Sequence, residues 1–150
     1  MKKLLFIFVL SFFFTNNSHA QKLNFKNLKG DEDLIYAANR CSAVFNFVLS
    51  KIILEPNMTD TSDLYLKLSS SFAKLSIVVD YQKNQTPIKQ AQSNQEKQMM
   101  SLEKKYRADS KYYKKRDGTY LSGAIKDDLI MCTGLAKNLS TTFPNIFKGL

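Results

Sequence analysis

The sequence predicts an all-α protein: an up-and-down four-helix bundle-like domain behind a cleaved signal peptide. Three observations lead there. Leu34, Ala38, Cys41, Phe45, Val48 and Ile52 advance by alternating steps of four and three, and so do Ile125, Leu129, Cys132, Ala136, Leu139 and Phe143. Such spacing keeps side chains on one face of a helix. Helix-breaking punctuation falls between the apolar segments, at Pro56, Thr86-Pro87, Asp117-Gly118 and Pro144. Four helices with short connections pack most simply as an up-down bundle.

The chain opens with the three-part pattern of a secretory signal peptide. Met1-Lys2-Lys3 is a short basic start, Leu4 to Phe14 an apolar run broken only by Ser11, and Ser18-His19-Ala20 a small-x-small cleavage site. The apolar run falls short of the ~20 residues that span a bilayer. Residues 1–20 are therefore expected to be removed, leaving 21–150 as a single helical domain. The short leader and a Lys- and Asn-rich composition point to a bacterium, and so to the periplasm or the medium.

Gln21 to Gly30 reads as a polar, Lys-rich arm. The first helix starts at Asp31-Glu32-Asp33, whose charges suit the positive end of a helix, and runs to about Leu54, before Pro56. Ile35, Ala37, Val44, Leu49 and Ile53 widen its apolar seam to about half the circumference, with Phe47 and Leu54 outside it. This is the most buried helix, or one that also meets a partner. Asn57 to Ser62 is turn material with Thr59 and Asp60 as candidate caps. The second helix covers about Thr61 to Lys83, with Leu64, Leu68, Phe72, Leu75 and Val79 on its face.

Thr86 as cap and Pro87 at the first helical position open a third helix. Its apolar stripe is thin (Ile88, Ala91, Met99, Leu102, Tyr106) and interrupted by Gln95, so the helix is expected to lie exposed or to fray beyond Asp109. The fourth helix covers about Tyr120 to Thr142, with Gly123 and Gly134 inside it. Ile146, Phe147 and Leu150 in the tail are available to dock. No later segment is long and apolar enough to span a membrane.

The only cysteines are Cys41 and Cys132. Each is the third of six residues in its seam, so facing seams bring them together. In an exported chain an even cysteine count argues for a disulfide. Closing a loop of about 90 residues by such a bond contributes roughly 4–5 kcal/mol in the loop-entropy account. The absence of Cys-x-x-Cys argues against a redox-active pair.

Function is bounded more than it is named. The single histidine, His19, leaves with the leader. A mature chain without histidine excludes Ser-His-Asp and Cys-His hydrolases and His-ligated metal or haem sites. Glu96 and Glu103 share a helix face but are surrounded by Lys97, Lys104 and Lys105, which predicts surface ion pairs. Asp127-Asp128 reads as a complement to the dipole of the fourth helix. Hence no catalytic residue, no metal ligand and no cofactor is predicted.

Charge supplies the one candidate binding feature. The net charge of +9 becomes +7 once Lys2 and Lys3 leave. Lys104, Lys105, Arg107, Lys111, Lys114, Lys115 and Arg116 cluster with Tyr106, Tyr112 and Tyr113 among them, a composition suited to anions. Because 19 of the 22 basic residues are lysine, the cluster also fits a lysine-biased proteome and a solvated helix end. The sequence favours a non-enzymatic binding or inhibitor/immunity-type module, with an unknown protein partner in the cell envelope. Its contact surface would be the wide face of the first helix or the exposed third helix. The alternative is a binder of anionic lipid head groups or glycolipids through Lys104–Arg116. Nucleic acid is disfavoured by the exported address.

Overall fold

A computed structural model of the chain describes residues 30–53 and 58–148. The expected leader, the arm at 21–29, Leu54 and Leu150 lie outside the described residues. Four helices follow in order: α1 (Asp31–Ile52), α2 (Thr59–Asn84), α3 (Ile88–Asp117) and α4 (Gly123–Thr142). They form the expected up-and-down bundle. Among the described residues no helix is long and apolar enough to cross a membrane.

Helix α1 is the axis of the bundle and packs against each of the other three. Its first turn carries Asp31, Glu32 and Asp33, placed at the end where the helix dipole favours negative charge. Burial is wider than the sequence indicates. All positions from Ala37 to Phe45 are buried, polar ones included. A helix whose whole circumference is buried lies inside its fold rather than on it. Phe47, outside the predicted arc, is fully buried and tilts onto Tyr106 of α3 with ring centroids 6.0 Å apart. The arc was too narrow because α3 covers the side that the seam leaves open. From Ala37 to Leu49 the wide face of α1 is covered by its own chain, while Ile53 at its end is exposed.

Helix α2 runs antiparallel to α1: Phe45 meets Tyr65 at 5.6 Å, while Ser42, earlier in α1, meets Ser69 at 3.3 Å. Of its predicted face, Leu68, Phe72, Leu75 and Val79 are buried, whereas Leu64 is exposed. Helix α3 returns in the direction of α1, since Asn39 bonds Gln98 and Asn46 bonds Glu103. The tail docks as expected. Phe147 is buried edge-on against Phe72 at 5.2 Å, Phe72 stacks on Phe45 at 5.9 Å, and Ser71 donates to the Ile146 carbonyl. Each fully buried aromatic ring contributes about 1.5–3 kcal/mol by burial alone.

The disulfide forms between the two predicted seams. Cys41 and Cys132 are bonded, with Cα atoms 5.3 Å apart and a sequence separation of 91 residues.

Several local expectations are corrected. Helix α2 begins at Thr59 with Met58 in the capping position, so neither Thr59 nor Asp60 caps it. Pro87 precedes α3 rather than starting it, and Thr86 does not cap; its hydroxyl donates to Asp80 at 2.8 Å instead. Helix α3 does not fray at Asp109. It continues to Asp117 and ends at Gly118, whose φ of +72° gives the left-handed cap that the Asp-Gly pair signals. Helix α4 begins at Gly123, not Tyr120. Gly123 is therefore the first residue of the helix and not an interior one: its φ is +52°, and an added Cβ would overlap the Tyr113 ring. The absent side chain lets the Ala124 N–H reach the Tyr113 hydroxyl at 3.3 Å.

Candidate ligand-binding cleft

Three helix segments meet at one end of the bundle: the start of α1, the last turns of α2 and the start of α3. The connection there is short. Gln85, at φ +55°, ends α2 in the left-handed conformation. The Asp80 carboxylate then accepts hydrogen bonds from Asn84 at 3.1 Å and Thr86 at 2.8 Å. This fastens the end of α2 to the start of α3 while keeping Asp80 buried.

Between these segments lies a cleft of about 470 Å³, within the range of roughly 300–1,000 Å³ usual for small-molecule sites. Its walls are amide-rich, with Asn39, Asn84, Asn94, Gln95 and Gln98, and carry Asp80, Glu32, Lys97 and Ser76. Tyr36 and Ile35 supply an aromatic and an aliphatic surface, and Tyr36 is 40 % exposed.

Asn39 is the unusual member. It is only 1 % exposed. Its Nδ2 donates to Gln98 Oε1 at 2.6 Å, but its Oδ1 is buried without a hydrogen-bond partner. A buried acceptor left unmade costs about 1–3 kcal/mol. Among the described residues it is the one side-chain nitrogen or oxygen atom in that condition. Gln95, whose polar side chain interrupts the predicted apolar stripe of α3, is also buried here and bonds to the Met99 sulfur at 3.6 Å.

One residue further along α1, the polar chemistry is complete. Arg40 donates twice to Asp128 of α4, Nε to Oδ2 at 2.8 Å and Nη2 to Oδ1 at 2.7 Å, and the Tyr106 hydroxyl donates to Asp128 Oδ2 at 2.6 Å. All three residues are buried. Burial alone would lower the pKa of Arg40, but the hydrogen bonds and charge of Asp128 more than offset it and raise the value. The Tyr106 pKa is raised by burial first, and by the charge and hydrogen bond of Asp128 second. This corrects the sequence reading of Asp128. It lies beyond the first turn of α4 and is the buried partner of an arginine, not a dipole complement.

The predicted anion-binding residues are placed on the second half of α3. Lys104, Lys105, Arg107, Lys111, Lys114, Lys115 and Arg116 are all exposed. Lys104, Arg107, Lys111, Lys114 and Lys115 share an arc of about 100° by helical rotation. Lys105 and Arg116 point elsewhere, and the tyrosines do not interleave with the stripe. Tyr106 faces the core, Tyr113 sits half-buried against Gly123, and only Tyr112 is exposed, at 59 %.

Three of the cations are engaged locally. Lys114 donates to the Gly118 carbonyl and lies over Tyr120. Arg116 pairs with Asp117 and lies over Tyr112 and Tyr113. The Arg116 hydrogen bonds, followed by that of Ser122, hold the Asp117 carboxyl down at about 2. Arg107 lies 3.6 Å from Glu103, an ion pair of the expected kind, and Glu103 also accepts from Asn46. Among the described residues no group of three or more Cys, His, Asp or Glu could hold a metal ion.

Comparison with protein-family models, curated proteins and solved structures finds no match. The site therefore rests on its own geometry. Sequence reasoning missed Asn39, Arg40 and the cleft. The signal for Arg40 was present: Asp128 and Ile125 lie four and seven residues before Cys132, on its face, and Arg40 precedes Cys41. A carboxylate on one seam beside an arginine on the other marks a buried pair. For Asn39 only the interruption at Gln95 hinted that a polar recess replaces part of the core.

Proposed function

We propose that the protein is a small, exported, non-enzymatic binding module of the bacterial cell envelope that takes a ligand in the cleft between α1, α2 and α3. The observation that carries this reading is an amide-lined cleft of ligand size with Asn39, whose buried Oδ1 has no partner, in its wall. Native proteins pair their buried polar groups, and an unpaired acceptor at the wall of an open recess is satisfied when a ligand brings a donor. The disulfide supports the exported address, because such bonds persist in oxidising compartments. The experiment is native mass spectrometry of the purified protein after incubation with protein-free envelope extract. Wild type is expected to retain a small molecule that Asn94→Trp, at the exposed rim of the cleft, does not retain. Equal retention by both, or none by either, contradicts the reading.

A second reading has its own observation. Five exposed cations on one arc of α3 form a stripe that suits anionic lipid head groups or glycolipids. It requires binding to anionic vesicles that weakens steeply with salt and fails when Lys104, Lys111 and Lys115 become glutamine.

A further inference from the structure

Four features of the cleft together define a class of ligand, on the reading that the cleft is a binding site. First, Asn39 lines the cleft and its buried Oδ1 is an acceptor without a partner, so a ligand that displaces what covers it must bring a donor. Second, the rest of the polar wall is mostly carboxamide, and each carboxamide offers both donors and an acceptor. A matching ligand therefore carries groups that both donate and accept, which is the property of a hydroxyl. Third, the ionised side chains of the wall are two carboxylates, Glu32 and Asp80, against one ammonium, Lys97. An anion would meet two acidic groups against one basic one, and a cation would find Asp80 Oδ1 already accepting from Asn84 and Thr86. Fourth, the part-exposed ring of Tyr36 gives a flat apolar surface beside these amides, suited to the C–H face of a sugar ring.

We infer that the cleft binds a neutral, polyhydroxylated ligand, a saccharide unit. One hydroxyl donates to Asn39 Oδ1, neighbouring hydroxyls exchange hydrogen bonds with Gln95 and Asn94, and the ring rests on Tyr36. The volume admits a short oligosaccharide segment and not a folded partner. The basic stripe of α3 has no part in this recognition.

The test is a ¹⁵N–¹H titration of the purified protein, following side-chain amide signals. The probes are tri-N-acetylchitotriose and maltotriose, which separate amide-bearing from purely hydroxylic sugars. Spermidine and inorganic phosphate serve as charged controls. At least one trisaccharide is expected to shift the Asn39, Asn94 and Gln95 amides saturably. Asn39→Leu should weaken that binding by about tenfold, the equivalent of one hydrogen bond. Asn94→Trp, at an exposed position, should abolish it with the helical circular dichroism unchanged.

The inference is overturned if neither trisaccharide moves the cleft signals, if only spermidine or phosphate does, or if Asn94→Trp binds sugar as wild type does. Retention of a small molecule by wild type but not by Asn94→Trp in the mass-spectrometric experiment would then leave the cleft a binding site for another chemistry. Failure of both experiments removes the site itself.

Discussion

Asn39 and Arg40 are neighbours on α1, both buried and both polar, yet they face opposite kinds of surroundings. Arg40 looks toward α4, where Asp128 accepts two hydrogen bonds from it and a third from the Tyr106 hydroxyl of α3, and the Cys41–Cys132 bond lies alongside. Asn39 looks toward α2 and α3, where one end of its amide is bonded, the other has no partner, and the residue lines a cleft. The first arrangement closes: every partner it needs belongs to the chain. The second stays open, and its missing partner has to come from outside. A buried polar residue that holds the fold together is thus distinguished from one that awaits a ligand by whether its hydrogen bonds are complete.

The largest expected effect falls on the closed side. Asp128→Ala leaves a buried guanidinium and a buried phenol without their acceptor, and should cost about 3–5 kcal/mol in urea unfolding. Replacing the pair together, as Arg40→Met with Asp128→Leu, should recover most of that loss. If the single substitution cost less than the double, the pair would not be holding α1 to α4.

Next comes the disulfide. Cys41→Ser or Cys132→Ser should lower stability by roughly 2–5 kcal/mol, with helix content retained in the folded state. The double variant should be no worse than either single one, because one shared bond is lost. Additive losses would show that the cysteines contribute separately.

Tyr106 gives a smaller effect with a pH signature. Its pKa is raised in the folded state, by burial and by Asp128, whereas an unfolded tyrosine ionises near pH 10. Its contribution is therefore complete below about pH 10 and is lost as pH rises toward the folded value. Urea midpoints of wild type should fall above that pH, and those of Tyr106→Phe should fall less. At neutral pH Tyr106→Phe should cost about 1.5–3 kcal/mol, one hydrogen bond to a charged group.

The two sides also differ in how far the sequence reveals them. The disulfide and the helix order follow from apolar spacing, because Cys41 and Cys132 occupy equivalent positions in matching seams. Spacing identifies residues that avoid water and says nothing of which polar side chains follow them inside. Asp128 was assigned to the helix dipole because its partner, Arg40, is distant in sequence. Asn39 was overlooked because an asparagine flanked by alanine and arginine has no periodic signature. The cations at Lys104–Arg116 were legible as a group. Their division into an exposed stripe and inward-facing tyrosines depends on which side of α3 meets the core.

The sharpest measurement of the contrast is the unfolding free energy of Asn39→Leu, determined beside Asp128→Ala under the same conditions. Asn39 sits one residue from Arg40 and is equally enclosed, so burial alone would make both substitutions severe. If the Asn39 acceptor is held unpaired for a ligand, removing it relieves a cost of about 1–3 kcal/mol in the free protein and offsets the lost bond to Gln98. Asn39→Leu should then lie within about 1 kcal/mol of wild type, a small fraction of the expected Asp128→Ala loss of about 3–5 kcal/mol. A loss for Asn39→Leu as large as that for Asp128→Ala would make Asn39 a structural residue and contradict the account of the cleft.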